Sequence, residues 1–332
     1  MSAPTAVGEP LLRVEDLTID LRGSDGPIRV VDGVDLSVAP GQVLGVAGES
    51  GSGKTMTALA LLGLLPHGAI TGGRAEFDGR DLLTLSKRDW RSVRGDEIGV
   101  IFQDPMSALH PMLSIERQLT EHLRVHRGLS RKDARDRAVE LLQQVQLPDP
   151  VGSLRNYPHQ FSGGMRQRIA IAIALACDPR LLIADEPTTA LDVTVQAGVL
   201  RLLKRLCDEI GLAVIVVTHD LGVMSTVADD LAVFYAGRIV EHGPTREVVA
   251  TPRHPYTRGL LDSLPHPDRP DEPLRPIGGS PATPVDRPSG CALHPRCAWA
   301  KPECARDVPE LIAIEERRWL ACPVDPLTEV VR

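Results

Sequence analysis

The stretch that decides the fold is VLGVAGESGSGKT, residues 43–55. Its first part, Val43–Ala47, is an uninterrupted apolar run, which predicts a buried strand. The next eight residues match the pattern G-x-x-x-x-G-K-[ST], and helical spacing follows from Thr55 to Leu65, stopping at Pro66. A strand, a glycine-rich loop and a helix in this order are the context that a phosphate-binding loop requires. The sequence therefore predicts a nucleotide site on an α/β fold.

The residues of this loop have separate tasks in the predicted site. Glycines let the backbone form a ring of N–H groups around phosphates, and the helix N-terminus adds partial positive charge. Lys54 is expected to reach the terminal phosphates, and Thr55 offers a hydroxyl to Mg²⁺. A glycine-rich turn without a ligand is the alternative, and the strand and helix around the loop count against it. The predicted ATP-binding residues are Gly48, Glu49, Ser50, Gly51, Ser52, Gly53, Lys54 and Thr55.

Two adjacent carboxylates follow another apolar run, Leu181 to Ala184, which also predicts a strand. Asp185 is suited to hold the Mg²⁺ shell, and Glu186 to polarise or accept a proton from the water that attacks the γ-phosphate. Such a pair, taken alone, is more often a solvated strand end. The phosphate loop in the same chain favours the catalytic interpretation.

Composition limits the class of protein. The 332 residues are 42% hydrophobic and 24% charged, which is typical of a globular protein, and the net charge of −7 argues against a nucleic-acid surface. The first ten residues have neither a charged n-region nor an apolar h-region, and no run of about 18 apolar residues occurs. We therefore expect a chain that stays in the cytoplasm and does not span a membrane.

The order of the remaining patterns predicts a mainly parallel sheet with a helical insertion. Further strands are expected at Ile98 to Phe102 and Ala213 to Val217, alternating with helices such as Arg131 to Val145, capped by Ser130. From Leu113 to Ala176 the apolar spacing is only helical, which indicates a helical subdomain at about 106–178. A hairpin of residues 231–235 and 238–241 is expected to end the main domain.

The segment FSGGMRQR, residues 161–168, resembles the signature motif of ABC ATPases. Gln103 after one strand, the triplet 190–192 (ALD) and the triplet 218–220 (THD) complete an ordered set that is similar to one ABC nucleotide-binding domain over residues 11–250. The resemblance implies a P-loop NTPase fold for residues 1–250. It also implies an ATPase that is active as a dimer.

The resemblance assigns roles residue by residue. Ser162, Gly163 and Gly164 would bind the γ-phosphate of ATP held by the facing subunit, and Asp192 would cross the dimer interface. Gln103 would contact Mg²⁺ or the attacking water, and His219 would hold the γ-phosphate and orient that water. The expected catalytic residues are thus Glu186, His219 and Gln103, and the expected Mg²⁺ contacts are Thr55, Gln103 and Asp185. The family's aromatic adenine platform has no counterpart around Leu21, so aliphatic packing of the base is expected.

The end of the chain, residues 251–332, narrows the resemblance. Thirteen of the 28 prolines lie between Pro252 and Pro309, which excludes long helices and central strands there. The segment HPYTRGLL at 254–261, the Gly279-Ser280-Pro281 turn and the cysteine-bearing end resemble the C-terminal extension of oligopeptide and dipeptide importer ATPases.

Four cysteines in this extension are candidate metal ligands. Some members of the resembled subfamily hold an iron–sulfur cluster with them, so a [4Fe–4S] cluster is expected, with zinc and reduced structural thiols as alternatives. The cluster is remote in sequence from every nucleotide motif, so we expect a structural role, docking the extension beside a partner and leaving ATP binding intact. The four are Cys291, Cys297, Cys304 and Cys322, whereas Cys177 and Cys207 are expected in the core.

The resemblance also implies partners. It predicts a peripheral protein at the cytoplasmic face of the inner membrane, working with a second ABC ATPase subunit, two permeases and an extracytoplasmic solute-binding protein. Peptides are the expected solute, and nickel or another small solute is the alternative. A nucleic-acid-handling ABC ATPase is opposed by the lack of a coiled-coil insertion or second ATPase domain. A P-loop protein without hydrolysis is opposed by Glu186 and His219.

Overall fold

The structure is a computed structural model that describes residues 10–103, 108–188, 191–264, 275–324 and 326. Its strands are β1 (Leu12–Arg22), β2 (Pro27–Val38), β3 (Val43–Ala47), β4 (Ile70–Phe77), β5 (Arg80–Asp81), β6 (Ile98–Ile101), β7 (Leu181–Asp185), β8 (Ala213–Thr218), β9 (Asp230–Tyr235), β10 (Arg238–Pro244), β11 (Ile312–Glu315) and β12 (Arg318–Leu320). Its α-helices are Lys54–Leu61, Lys87–Val93, Ile115–Arg127, Arg131–Gln144, Pro150–Ser153, Gly163–Ala174, Val193–Ile210, Leu221–Met224, Thr245–Ala250 and Pro255–Asp262.

The chain divides into two compact units. The first comprises residues up to 39, residues 44–84 and residues from 218 onward, and the second comprises residues 40–43 and 85–217. Residues on both sides of position 250 belong to the first unit. In the part of the chain that the structure describes, no helix has the length and hydropathy that crossing a bilayer requires.

The first unit contains the strand that carries the phosphate loop. All five residues of β3 are buried, and β3 pairs in parallel with β9, with Gly45 opposite Leu231 and Ala47 opposite Val233. A separate antiparallel sheet has the order β2-β1-β4-β5. The apolar patterns noted in the sequence did not predict this sheet. Buried and less buried residues nevertheless alternate along β1, with one break near Asp16, which has φ 47°.

The hairpin expected at 231–241 is confirmed. Tyr235 pairs with Arg238, and the two residues between them have positive φ, 47° for Ala236 and 84° for Gly237, as the tight hairpin turn requires. The extension then adds β12 to β10 and β11 to β12, both antiparallel. Prolines between 252 and 309 permit one helix of eight residues and short 3₁₀ turns, and no strand occurs in the described part of that range.

A buried ion pair anchors the extension to β10. The Arg318 guanidinium donates to the Glu241 carboxylate at 2.8 Å, and the side chains are 2% and 0% exposed. Glu241 also accepts the backbone N–H groups of Arg253 and His254, at 2.9 and 3.0 Å. Removing one partner of such a pair costs about 3–5 kcal/mol, because the other charge stays buried. The extension is therefore fixed to the sheet by contacts that need no metal.

The second unit combines three parallel strands with helices. Its strand order is β8-β7-β6, and Leu182 pairs with both Gly99 and Val214. Between residues 113 and 176, all of which are described, the regular structure is helical, as the apolar spacing predicts. Ser130 caps the helix Arg131–Gln144 by accepting the backbone N–H of Asp133, which confirms the expected cap.

The helix after the phosphate loop is shorter than the sequence indicates. Helical spacing predicted Thr55 to Leu65, whereas the helix is Lys54–Leu61. Gly63 adopts φ 60° and Leu64 N–H bonds back to Leu59 O at 2.8 Å, so a left-handed glycine ends the helix before Pro66 is reached.

Candidate functional site

The phosphate loop connects β3 to the helix Lys54–Leu61, as predicted. Gly48 has φ 148°, and a Cβ there would lie 2.2 Å from the carbonyl oxygen of Phe234 in β9, so only glycine fits. Gly53 has φ 103° at the N-cap of the helix. The two glycines therefore allow the loop to leave a buried strand and turn into a helix within a few residues.

Lys54 holds the loop together from inside. Its ammonium donates to Gly48 O at 2.7 Å, to Glu49 O at 2.8 Å and to Ser52 Oγ at 3.3 Å, and the residue is only 5% exposed. Thr55 follows on the exposed side of the first helical turn. A buried cation with oxygen partners, next to a helix N-terminus, is suited to bind phosphate.

In the second unit, the structure brings Glu186 and Gln103 together. Gln103 Nε2 donates to Glu186 Oε2 at 2.8 Å, and Glu186 N–H donates to Val217 O at 2.8 Å. Glu186 has φ 47°, an uncommon conformation for a residue other than glycine. Asp185, half-buried at the end of β7, precedes it. The strand end thus presents two carboxylates, one of them oriented by an amide.

The signature segment begins a helix. Ser162 is the exposed N-cap of Gly163–Ala174, and its Oγ accepts Met165 N–H at 3.4 Å. A Cβ on Gly164 would lie 2.4 Å from Val195 Cγ1, so the glycine permits close packing against the helix Val193–Ile210. Asp192 is the exposed N-cap of that second helix and accepts Val195 N–H at 3.0 Å. Two helix N-termini therefore lie at one surface.

His219 lies directly after β8 in an exposed position. Thr218 Oγ1 accepts Asp220 N–H at 3.1 Å, and Asp220 caps the short helix Leu221–Met224. Leu21, at the position expected to lack an aromatic platform, is half-buried and pairs with Ile28 in the hairpin of β1 and β2. Thr189 and Ala190, the latter in the motif of Asp192, lie outside the described residues.

Sequence reasoning missed a contact between the extension and the phosphate loop. Arg296 donates to both oxygens of Glu49, at 2.8 and 3.1 Å, and Tyr256 Oη accepts Glu49 N–H at 2.8 Å. The cysteine cluster is remote in sequence from every nucleotide motif, but Arg296, the neighbour of Cys297, contacts the phosphate loop in the folded chain. Segments containing Tyr256 and Arg296 carried the family resemblance, but no local pattern pairs either of them with a residue more than 200 positions away.

The four cysteines of the extension gather in one region. Cys291 N–H donates to Cys304 O at 2.8 Å. Burial raises the pKa of Cys322 to about 12, and the other three cysteines add to the rise. Burial likewise raises the pKa of Cys297 to about 11. Across the described residues, no group of three or more His, Cys, Asp or Glu side chains is arranged to hold a metal ion. The thiols are thus neighbours, but within the described residues they are not arranged as a preformed metal site.

The expected core cysteines are confirmed as buried. Cys177 and Cys207 are 0% and 1% exposed.

Comparisons with known proteins agree with this geometry. The family model described as ABC transporter matches residues 31–189, and the model described as oligopeptide/dipeptide transporter, C-terminal region, matches residues 240–304. The oligopeptide transport ATP-binding protein OppD of Salmonella typhimurium is 44% identical over 96% of this chain and 95% of its own length. The dipeptide transport ATP-binding protein DppD of Escherichia coli K12 is 43% identical, over 95% and 97%.

A solved structure gives the same fold. It is a dimeric, post-hydrolysis state of the ATP-binding cassette MJ0796 bound to ADP and Pi, 30% identical with a TM-score of 0.63, covering 71% of this chain and 99% of that one.

Proposed function

This chain belongs to the ATP-binding subunits of the oligopeptide and dipeptide ABC transporter family, and from that premise we propose that it energises peptide uptake. It is an ATP-hydrolysing subunit of an ABC importer. The observation that carries the proposal is the loop closed around Lys54, followed by a helix N-terminus. The matched extension supports peptides as the solute, because relatives that carry it are named for oligopeptide and dipeptide transport.

Residues 48–55 bind the phosphates of ATP in this proposal. Backbone N–H groups and the helix N-terminus face the phosphate charge, and Lys54 exchanges carbonyl partners for phosphate oxygens. The exposed Thr55 hydroxyl and the Asp185 carboxylate fit Mg²⁺, which binds through few protein oxygens and the substrate phosphates. When bound, Mg²⁺ neutralises charge that develops on the phosphates.

Glu186 acts as general base toward the attacking water. The Gln103 amide donates to its carboxylate at 2.8 Å, which fixes the direction of the carboxylate. Gln103 contacts Mg²⁺ or the water, and His219 holds the γ-phosphate. We also propose domain boundaries. The nucleotide-binding domain comprises residues 1–250 and includes a helical subdomain at about 106–178, and the extension follows it.

Ser162, Gly163 and Gly164 complete the site of a second ATPase subunit. An exposed serine cap at the start of a 12-residue helix presents its hydroxyl and the helix N-terminus to an anion. The dimeric state of the solved relative supports pairing of two such chains, and Asp192 lies at the same surface. We propose a heterodimer with a second ABC ATPase, docked on two permeases at the cytoplasmic face of the membrane and supplied by an extracytoplasmic binding protein.

Ser162→Arg tests the shared site. The variant should bind MgATP with wild-type affinity at its own phosphate loop, while ATPase activity in the assembled transporter falls roughly 10²-fold or more, as for other losses of transition-state contacts to phosphate. Binding is measured by calorimetry on the isolated chain and turnover by phosphate release from the complex.

Ser130→Arg is the matched control for Ser162→Arg. Ser130 is also an exposed N-cap in the second unit and also accepts an N–H three residues ahead, so both variants lose a comparable cap. Ser130→Arg should retain turnover. If Ser162→Arg abolished ATP binding by a folded chain, the shared-site proposal would be contradicted.

For the four cysteines we propose a [4Fe–4S] cluster that ties the extension together. The backbone hydrogen bond between Cys291 and Cys304, and the electrostatic effect of Cys291, Cys297 and Cys304 on Cys322, place the four thiols near one another and support a four-thiolate group. Because burial raises the pKa of the Cys291, Cys297 and Cys322 thiols, loading must displace their protons. When bound, the cluster would supply four iron–thiolate bonds that hold the segments around Cys291 and Cys322.

Anaerobic purification tests the cluster. The protein should be brown, with about four irons per chain, and Cys297→Ser should remove the colour. Cys177→Ser, a substitution of a buried cysteine outside the extension, should keep it. A colourless preparation with one bound zinc would contradict the cluster and indicate a zinc site. A chain without metal would indicate reduced structural thiols.

A further inference from the structure

The C-terminal extension holds one residue of the phosphate loop. Arg296 Nη1 lies 2.8 Å from Glu49 Oε2, and Nη2 lies 3.1 Å from Oε1. The arginine side chain is 5% exposed and the glutamate side chain 25%, so water screens the pair little. A bidentate, shielded arginine–carboxylate pair is directional and stronger than an exposed one. Arg296 therefore fixes the Glu49 side chain in one position.

Arg296 is itself fully engaged. Nε donates to Gly278 O at 2.8 Å, Nη2 also reaches Ile277 O at 3.5 Å, and Nη1 also reaches Tyr235 Oη at 3.3 Å. With the two bonds to Glu49, the five N–H groups of the guanidinium have five oxygen partners. The side chain thus joins the extension at 277–278, the end of β9 and the phosphate loop.

Tyr256 fixes the backbone of the same loop residue. Its hydroxyl accepts Glu49 N–H at 2.8 Å, and its ring packs against that of Tyr235 with centroids 4.6 Å apart. Tyr256 is 1% exposed and lies in the first turn of the helix Pro255–Asp262, which His254 caps. Since Glu49 O accepts from Lys54 at 2.8 Å, the N–H, the C=O and the side chain of Glu49 are all held.

We propose that Arg296 and Tyr256 are positioning residues for ATP binding. Through Glu49 they set the conformation of the phosphate loop around Lys54 before nucleotide arrives, so the loop loses less conformational freedom on binding. Neither residue needs to touch ATP, since both act through Glu49. This inference rests on the proposed phosphate site, and it gives the extension a part in nucleotide affinity.

Calorimetric titration of the full chain with MgATP tests the inference. Arg296→Met should raise Kd about tenfold, the size expected when one charged hydrogen-bonded contact no longer preorganises a site. Glu49→Gln should have a similar effect, and the double variant Glu49→Gln/Arg296→Met should bind no more weakly than Arg296→Met, because the two residues act as one unit. Arg296→Lys, which keeps the charge without the fork, should recover part of the affinity.

Two further variants separate positioning from general stability. Tyr256→Phe removes one oxygen atom and should raise Kd about threefold, the effect of a single hydrogen bond. Arg317→Gln removes another ion pair of the extension, in which Nη2 donates to both oxygens of Asp230 at 2.9 Å. Asp230 is at the start of β9, the opposite end from the loop. Arg317→Gln should lower Tm and leave Kd unchanged.

The results that would overturn the inference are specific. Wild-type Kd in both Arg296→Met and Tyr256→Phe would remove the positioning role, and so would additive effects in the double variant. Failure of the proposed phosphate site looks different, because Lys54→Ala would then bind MgATP as well as the wild type does.

Discussion

Lys54→Ala should lower the affinity of the chain for MgATP by about a hundredfold or more, since at least one charged contact with phosphate, worth about 3 kcal/mol, is lost. The loop also loses three hydrogen bonds, because the Lys54 ammonium now bonds Gly48 O, Glu49 O and Ser52 Oγ. The expected phenotype is thus loss of binding rather than loss of turnover alone. Calorimetry with MgATP and with MgADP measures it, and both nucleotides should be affected.

Lys87→Ala is the control for the lost charge. Lys87 is exposed in the first turn of the helix Lys87–Val93, so its removal changes net charge by the same amount without altering the loop. It should bind MgATP as the wild type does. Wild-type affinity in a folded Lys54→Ala chain would show that nucleotide does not bind at residues 48–55.

The strand and loop that open the nucleotide site were predictable because local patterns specify them. The run at 43–47 is apolar throughout, as a strand buried on both faces must be, and β3 has those bounds. The motif predicted that Gly48 and Gly53 let the backbone turn around phosphates, and both residues have a positive φ in the structure. The helix end was misjudged because Gly63 can continue or stop a helix, and only the backbone conformation decides.

The contacts that orient the site could not be predicted, since they join residues far apart in sequence. Gln103 and Glu186 are separated by 83 positions, and Glu49 and Arg296 by 247. Prolines correctly limited secondary structure in the extension, but they gave no sign of how it is joined to the sheet. The buried Arg318–Glu241 pair and the pairing of β12 with β10 make that connection, and their partners are far apart in sequence.

Glu186→Gln should keep MgATP binding and lose turnover, roughly 10²- to 10⁴-fold, the contribution of a positioned general base. The amide matches the carboxylate in size and can still accept the Gln103 hydrogen bond, now 2.8 Å, but it does not take a proton from water. Because ATP binds and is not cleaved, an ATP-bound dimer should accumulate, visible by size-exclusion chromatography with light scattering.

Glu140→Gln is the matched control for this loss of turnover. Its carboxylate also lies in the second unit and accepts a 2.9 Å hydrogen bond, from Arg137, on an exposed helix surface. This variant should hydrolyse ATP at the wild-type rate and form no stable ATP-bound dimer. Equal rates in wild type and Glu186→Gln would remove Glu186 from catalysis. If Glu186 is the base, Gln103→Ala should also reduce turnover, because the carboxylate then loses the amide that orients it.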